Sequence, residues 1–536
     1  MLQRALARTY AQTVMPLCLL DEKHERQGRR EPEKVKDRLS FQSAGILFGI
    51  SAAAIAVHGY HPYVEDAEIY LPGIKKLLNP TLYAQNTGFF ASHAGMTMFP
   101  KLIAASVRVT HLPFDWALLA WQFLCIYFLL LGCWKIGRLL FDDPLASWGG
   151  VGLLASLLTI PVAGTALYIM DQYLSTRSLS GAAVPMMVAD AMERRYLRAA
   201  CWAVFTVAVH PLMFVFGTSF VLVHFLVRRF AMQATGTQAH KSLAPGAALS
   251  VLLPFGLFPP MSPAYHEVLL TRSYFFLSRW EWFEWLGMVA PFAIFWWFGS
   301  IARRRGLTEM QALCRAANIF GLIFALASLL TVPAGFERFT LLQPMRYLHL
   351  TYVLMFVVGG GLLAEYVLQR RLWRWLLLFV PLCAGMLFAQ RQTFPATSHL
   401  ELPGLDSHNS WVQAFLWIRE NTPSNAYFAV NPEHMRLAGE DQHGFRALAE
   451  RSMLADLVKD SGSVSMFPNM AETWKEQTTA QSGWKAFGRA DFARLRQRYG
   501  VDWVVLDRSS AAFESPSGAG LGCPYSNSRL RVCRIE

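Results

Sequence analysis

Acidic side chains are concentrated in a polar stretch that follows the first apolar run of the chain. Glu65, Asp66 and Glu68 fall close together in HGYHPYVEDAEIYLPG, which begins at His58. A carboxylate can accept the proton of an attacking hydroxyl group in a transfer reaction. Glu65 and Asp66 are therefore candidate catalytic bases, and Glu68 is a candidate substrate ligand. Acids in the first turn of a helix also gain about 0.3–1 kcal/mol from its dipole, so a purely structural role stays open.

Three histidines, His58, His61 and His93, lie in the same polar stretch. With the two neighbouring acids they could bind a divalent metal ion, but the order HxxHxxxED follows no fixed ligand pattern. No CxxC motif occurs in the chain, which disfavours zinc. The sequence therefore predicts no metal site and no cofactor, and His61 remains a candidate substrate ligand.

Further along the chain, polar connectors contain arginines that could hold a phosphate leaving group. Arginine binds phosphate through two parallel hydrogen bonds, and cations stabilise the charge of a departing phosphate. The candidates are Arg177, Arg272, Arg338 and Arg346. Each could instead belong to an ion pair, as Glu337 suggests for Arg338. Asp171, in DQYLSTR, is a candidate acceptor-binding residue or a polar cap.

His210 precedes a proline inside an apolar run, residues 199–227, that is bounded by basic clusters at both ends. Both clusters are expected in the cytoplasm, which a single spanning helix cannot satisfy. Proline interrupts the helical hydrogen-bond ladder, so two helices that turn at His210 and Pro211 are predicted. Non-helical backbone at membrane depth must be buried in protein or line a wet cavity. His210 is therefore a candidate substrate-binding residue.

The composition explains why these residues must be positioned by membrane helices. Of 536 residues, 54% are hydrophobic and 16% charged, whereas soluble domains carry roughly 25% charged residues. The net charge of +12 comes from Lys and Arg in short connectors, as the positive-inside rule predicts, and nucleic-acid binding is not expected. The fold class is an α-helical polytopic membrane protein.

About eleven spans are predicted, with the N-terminus inside and the C-terminus outside. Residues 1–40 form a disordered basic cytoplasmic tail, and residues 41–391 form the membrane domain. Its first outer loop, residues 58–114, contains a helix at 64–78 and an interfacial helix at 98–109. The predicted spans are 41–57, 116–136, 148–169, 179–191, the broken run 199–227, 243–258, 285–301, 316–332, 347–368 and 375–389.

The composition changes near residue 392, and residues 392–536 are predicted to form a small extracytoplasmic α/β domain. Tyr427–Val430 and Trp503–Leu506 are short apolar runs bounded by turn residues, as in strands. No GxGxxG, P-loop or GxSxG motif occurs there. Cys523 and Cys533 could form a disulfide if this end is outside the cytoplasm.

This order of parts resembles the GT-C superfamily of integral-membrane glycosyltransferases. The relevant members are the protein O-mannosyltransferases, the aminoarabinose transferases and the oligosaccharyltransferases. They combine an outward first span, a long outer loop with an acidic pair and interfacial helices, and often a C-terminal extracytoplasmic domain. The pair here would be Glu65 and Asp66, with FPKLIAASVR as the second interfacial helix and DQYLSTR in the place of another acidic residue. The oligosaccharyltransferase signature WWD is absent, which argues against that branch.

The resemblance implies transfer of a sugar from a polyprenyl-phosphate donor to an acceptor on the extracytoplasmic face of a bacterial inner membrane. The expected partners are the lipid-linked sugar donor and membrane lipids. The intramembrane polar residues leave a transporter or flippase of a lipid or sugar open as an alternative. A non-catalytic scaffold with GT-C architecture is the third possibility. The sequence does not indicate the sugar, the acceptor or the oligomeric state.

Overall fold

The computed structural model describes residues 39–235, 262–332 and 339–536. The chain divides into two units, Met1–Ile46 and Leu47–Glu536, and of the first unit only residues 39–46 are described. The predicted tail (apart from its last two residues), the predicted span 243–258 and Arg338 lie outside the described residues.

The first large part of the chain is almost entirely helical. Its α-helices are α1 (Phe41–His58), α2 (Ala67–Leu78), α3 (Gly88–Met96), α4 (Phe99–Thr110), α5 (Phe114–Leu140), α6 (Pro144–Ala155), α7 (Thr176–Met192), α8 (Tyr196–Val209), α9 (Pro211–Thr235), α10 (Pro263–Leu270), α11 (Trp282–Arg305), α12 (Thr308–Leu329), α13 (Leu348–Leu363) and α14 (Leu372–Thr393). Short 3₁₀ turns flank them at Ser273–Phe275, Leu277–Arg279 and Pro344–Tyr347, and a π-turn, Ala364–Leu368, follows α13.

Seven helical segments among the described residues are long and apolar enough to cross a membrane. They are Phe41–His58, Phe114–Leu140, Pro211–Phe230, Trp282–Arg305, Thr308–Leu329, Phe339–Leu368 and Leu372–Thr393. Two shorter apolar helices, α6 and α8, fall below that length. The polytopic helical fold class is thereby confirmed, while the expected total of about eleven spans stays a prediction.

The break at His210 is confirmed, because α8 ends at Val209 and α9 begins at Pro211. The predicted span 148–169 is wrong, since α6 ends at Ala155. Beyond it the chain folds back on itself, and Val162 N–H donates to Leu167 O at 2.8 Å. Pro161 lacks an N–H and disfavours helix at the residue before it, which the apolar composition of this run concealed.

The remaining residues, from 394 onwards, form a small sheet with surrounding helices. The helices are α15 (Ser410–Asn421), α16 (Phe445–Ala449), α17 (Asp460–Met466), α18 (Ala471–Ala480) and α19 (Arg489–Tyr499). The strands are β1 (Tyr427–Val430), β2 (Ser452–Met453), β3 (Trp503–Asp507), β4 (Leu521–Ser526) and β5 (Leu530–Ile535). Short 3₁₀ turns occur at His434–Arg436, Pro468–Met470, Trp484–Ala486, Ala511–Phe513 and Ser517–Ala519.

The sheet has the order β2-β1-β3-β5-β4. Strands β1, β2 and β3 are parallel, whereas β5 runs antiparallel to both β3 and β4. A disulfide between Cys523 and Cys533 joins β4 to β5. The two predicted strands and the small α/β fold at this end of the chain are confirmed.

The first loop is held by backbone hydrogen bonds to this C-terminal part. Glu65 N–H donates to Gln442 O at 2.8 Å, and Gly444 N–H donates to Tyr63 O at 2.9 Å. Tyr60 also forms a parallel bridge with Leu400. The conformation of the acidic loop is therefore fixed by residues far away in sequence.

Candidate active site

A cavity of about 350 Å³ lies beneath the first loop. Residues from α2, α3, α7, α9 and α17 line it, together with the segments that follow α10 and precede α13. Its polar lining residues are Asp66, Tyr70, His93, Thr97, Thr176, Arg177, His210, Arg272, Tyr274, Gln343, Arg346 and Ser465. The cavity therefore brings together five of the site residues that the sequence predicts: Asp66, Arg177, His210, Arg272 and Arg346.

Asp66 directly precedes α2 and presents its carboxylate to the cavity. Its Oδ2 accepts a hydrogen bond from Arg177 Nη1 at 2.8 Å, and its Oδ1 lies 3.2 Å from Lys459 Nζ. The side chain is 27% exposed. Burial would raise the pKa of Asp66, but the charges of Lys459 and Arg177 outweigh burial and hold the pKa well below its usual range. The carboxylate is therefore ionised throughout the physiological pH range.

Glu65, the other member of the pair, does not line the cavity. Its backbone has a φ of 56°, in the left-handed region that non-glycine residues seldom adopt. The hydrogen bond to Gln442 O stabilises this conformation, and the carboxylate contacts Lys459 Nζ. The turn thereby directs Asp66, rather than Glu65, towards the cavity.

Asp171 forms an ion pair with Arg177, the arginine that contacts Asp66. Its Oδ2 accepts from Arg177 Nη2 at 2.9 Å and from Ser175 Oγ at 3.1 Å. Asp171 is buried and is not a lining residue. The sequence allowed a helix-capping role for Asp171, but the residue that caps the N-terminus of α7 is Ser175. Asp171 thus fixes the arginine that contacts Asp66.

Two arginines of the cavity have no acidic partner. Across the described segments, no carboxylate oxygen is within 4 Å of Arg272 or Arg346. The Nε of each is buried, and the described residues offer it no hydrogen-bond partner. Arg272 is held by backbone, since its Nη2 donates to Val458 O at 2.6 Å and to Ser461 Oγ at 3.0 Å. Both side chains are partly exposed, but a buried donor atom without a partner is costly, and an anion in the cavity could satisfy it.

His210 reaches the cavity because of the break between α8 and α9. Its own N–H donates to Thr206 O at 2.7 Å and closes α8. The side chain then lines the cavity beside Pro211 and Leu212. The predicted helix break therefore opens onto the same cavity as Asp66.

Glu68 and His61, two predicted substrate ligands, lie elsewhere. Glu68 is fully buried and accepts hydrogen bonds from Arg446 Nη1 at 3.1 Å and from the N–H of Ala447 at 3.0 Å. Residues two apart on a helix point roughly 200° away from each other, so Glu68 cannot share the direction of Asp66. His61 is fully buried against Phe394. Neither prediction fits the position of its side chain.

Lys459 is the site residue that sequence reasoning misses. It immediately precedes α17, its side chain is 7% exposed, and its Nζ contacts both acids of the pair. Gly462, in the same helix, lies against Arg272, because a Cβ there would be 2.5 Å from Arg272 Nη2. No local motif marks either residue. Their partners are nearly four hundred and nearly two hundred positions away in sequence.

The donor set of the site does not suit a metal ion. Within residues 39–235, 262–332 and 339–536, no group of three or more His, Cys, Asp or Glu is placed to hold one. Asp66, the carboxylate that lines the cavity, is already paired with Arg177 and Lys459. The arrangement is instead an ionised carboxylate facing unpaired guanidinium groups.

Comparisons with known proteins give matches among solved structures only. No protein-family model matches the chain, and no curated protein is similar enough to be matched. The chain is similar to the oligosaccharyltransferase of Archaeoglobus fulgidus in its apo form, with 14% identity and a TM-score of 0.48. It is also similar to the archaeal oligosaccharyltransferase AglB from Archaeoglobus fulgidus, solved with an inhibitory peptide and a dolichol-phosphate, with 12% identity and a TM-score of 0.47.

Each match covers 87% of this chain and 69% of the solved chain. Oligosaccharyltransferases are one branch of the superfamily that the sequence resembles, and the branch whose WWD signature this chain lacks. Both TM-scores are below 0.5, so neither likeness assigns a role to a residue of this chain.

Proposed function

We propose that this protein is a membrane glycosyltransferase that uses a polyprenyl-phosphate-linked sugar, with Asp66 as the catalytic base. One observation carries the proposal: the ionised carboxylate of Asp66 shares its cavity with Arg272 and Arg346, which lack acidic partners in the described chain. A base and phosphate-binding cations in one cavity are the two requirements of this transfer.

In the proposed reaction, a hydroxyl oxygen of the acceptor forms a bond to the anomeric carbon of the sugar. The bond from that carbon to the phosphate oxygen breaks, and its electron pair stays on the phosphate. The hydroxyl proton passes to Asp66. Because the pKa of Asp66 lies well below its usual range, the proton transfers late, when the new bond has made the hydroxyl strongly acidic.

The arginines stabilise the phosphate as its charge grows. Arg272 and Arg346 come from different segments and approach the cavity with unused donors, so an anion between them would satisfy both. Apolar residues at the start of α9, Leu212 and Val215, form a neighbouring wall. Since α9 is a candidate span, this wall suits the prenyl chain that leads away from the phosphate.

The first loop also favours an enzyme over a transporter or flippase. The cavity is lined by first-loop residues, Asp66 and His93, as well as by the helix break at His210. A transporter would instead be expected to bind its substrate near the membrane midplane, between inverted repeats. Superposition of the two halves of an experimental structure would favour transport if a clean repeat emerged around such a midplane site.

The test of the proposed function is Asp66→Asn, assayed for glycan transfer in membranes that contain the native donor and acceptor. Loss of the base is expected to lower kcat about 10²–10⁴-fold. Asp502→Asn, at an exposed position of the C-terminal part, is the matched control and should transfer normally. Full transfer by Asp66→Asn would overturn its role as the base, and no transfer by the wild type would overturn the proposed function.

A further inference from the structure

A second polar groove lies on the C-terminal sheet. It has a volume of about 550 Å³ and shares no lining residue with the cavity around Asp66. Its lining residues are Trp411, Leu437, Ala438, Asp507, Arg508, Ser509, Ser528 and Arg529. They come from the start of α15, the segment after β1, the end of β3 and the turn before β5.

The topology of the sheet makes this groove an expected ligand site. From β1 the chain moves to β2 on one side and then returns to β3 on the other side of β1. Strands β1 and β3 therefore flank the point at which the strand order reverses. In open α/β sheets, ligands bind beyond the carboxyl ends of the strands at such a point. Because β5 is antiparallel to β3, Arg529, just before β5, reaches the same edge.

Two guanidinium groups in the groove are held in place but not neutralised. Arg508 Nε donates to Ser528 O at 2.7 Å, and Arg529 Nη1 donates to Ala438 O at 2.9 Å. Nowhere in the described chain does a carboxylate lie within 4 Å of either group. Gly439, with a φ of 81°, lies against Arg529, and a Cβ there would be 2.4 Å from Nη1. The position of Arg529 therefore depends on this glycine.

A carboxylate that accepts hydrogen bonds and two serine hydroxyl groups also line the groove. Asp507 is buried, and its Oδ2 accepts from Asn431 Nδ2 at 3.0 Å, while its Oδ1 accepts from the N–H of Ser509 at 2.8 Å. The exposed Ser528 stands beside Arg508. Arg508 and Arg529 against Asp507 leave the groove with a net positive charge. The oxygens of Asp507 and of the two serines add hydrogen-bonding groups to its lining.

We propose that this groove binds an anionic saccharide. Its phosphate or carboxylate is held by Arg508 and Arg529, and its hydroxyl groups bond to Asp507 and the serine hydroxyls. Arginine forks suit either anion, and the mixed donors and acceptors suit a polyol rather than an apolar ligand. This inference does not rest on the proposed function, because it uses no residue of the first cavity.

The experiment uses the full-length protein in detergent micelles and isothermal titration calorimetry. The probes are glucose 6-phosphate, glucuronate, glucose and inorganic phosphate. Both anionic sugars are expected to bind, glucose not at all, and inorganic phosphate at least about tenfold more weakly than glucose 6-phosphate, because it offers no sugar hydroxyls. Equal binding of glucose would overturn the anionic part of the proposal, and equal binding of inorganic phosphate would overturn the saccharide part.

Variants tie the binding to the groove. Arg508→Gln and Gly439→Ala, the latter by displacing Arg529, should each weaken binding about tenfold or more, the loss expected for a charge-assisted hydrogen bond. Arg494→Gln, an exposed arginine on α19 that pairs with Asp491, is the control and should bind as the wild type does. An equal loss in the control would overturn the site, as would unchanged binding in Arg508→Gln that retains the wild-type Tm.

Discussion

Replacing Lys459 by methionine tests whether the C-terminal part of the chain sets the charge of the acidic pair. Lys459 contacts both Glu65 and Asp66, and Asp66 would retain only Arg177 in the variant. Removing one partner of a fully buried pair costs about 3–5 kcal/mol. Because the two acids are 32% and 27% exposed, water screens part of that loss, and a destabilisation of about 1–3 kcal/mol is expected.

The effect on the pH profile follows from the same contacts. A carboxyl group whose folded pKa is depressed stabilises the fold above its unfolded pKa, and this contribution is lost as the pH falls through the folded value. Among the charges that lower the pKa of Asp66, Lys459 has the largest effect, followed by Arg177. In Lys459→Met the pKa of Asp66 rises towards its unfolded value. Transfer activity should therefore begin to fall at a higher pH than in the wild type, whereas the loss of stability on acidification becomes smaller.

Thermal unfolding and glycan transfer, each followed from pH 4 to pH 8, are the measurements. Lys475→Met is the matched control, since Lys475 pairs with Glu267 on the surface and exposed pairs contribute about 0–1 kcal/mol. The role of Lys459 in setting the charge of the acidic pair would be refuted if all three proteins had the same Tm and the same fall of transfer activity at acid pH. The three proteins are Lys459→Met, Lys475→Met and the wild type.

Three further outcomes follow from other contacts. Arg446→Met should lower stability by about 3–5 kcal/mol, because it leaves Asp460 and its buried acidic neighbours without their cation; a Tm within error of the wild type would contradict this. Arg346→Gln should raise the KM for the lipid-linked donor about tenfold or more without lowering Tm, since Arg346 has no acidic partner to lose; a lower Tm with an unchanged KM would indicate a structural role. Burial would lower the pKa of His443, but Glu401 and, to a smaller extent, Glu440 outweigh burial and raise the pKa to about 9. The stability from this pair is complete below pH 6.5 and is lost as the pH rises through 9. Glu401→Gln should therefore reduce the fall in Tm between pH 6.5 and pH 9, and an unchanged fall would contradict a contribution from the pair.

Local chemistry explains which parts of the fold could be predicted from the sequence. The break at His210 was predictable because proline acts on its own helix, whatever surrounds it. The end of α6 was not, because the apolar residues that follow it are buried by protein and resemble those that face lipid. The same ambiguity applies to α7, a helix of 17 residues that is almost wholly buried.

The residues of the candidate site also differ in how far the sequence indicates them. Arg177 and Arg346 can be proposed from the sequence because basic residues are depleted on the outer side of membrane proteins, and Asp66 because it belongs to the acidic pair of the first outer loop. The substrate-binding role predicted for Glu68 does not fit its buried position, because spacing alone does not give the direction of a side chain relative to the start of its helix. Lys459 was not predictable at all, since the contacts that bring it to the first loop are long-range and leave no local pattern.

The pairing of Lys459 with the first loop also constrains how the protein is made. The two contacts with the acidic pair join residues 394 and 393 positions apart, and Gln442 must be present to hold the unusual turn at Glu65. A chain still emerging from the ribosome thus has its first membrane helices long before its acidic loop can take its final form. The lining of the cavity is complete only once residues 459–466 have been made, so a chain that ends before Lys459 lacks part of the candidate site.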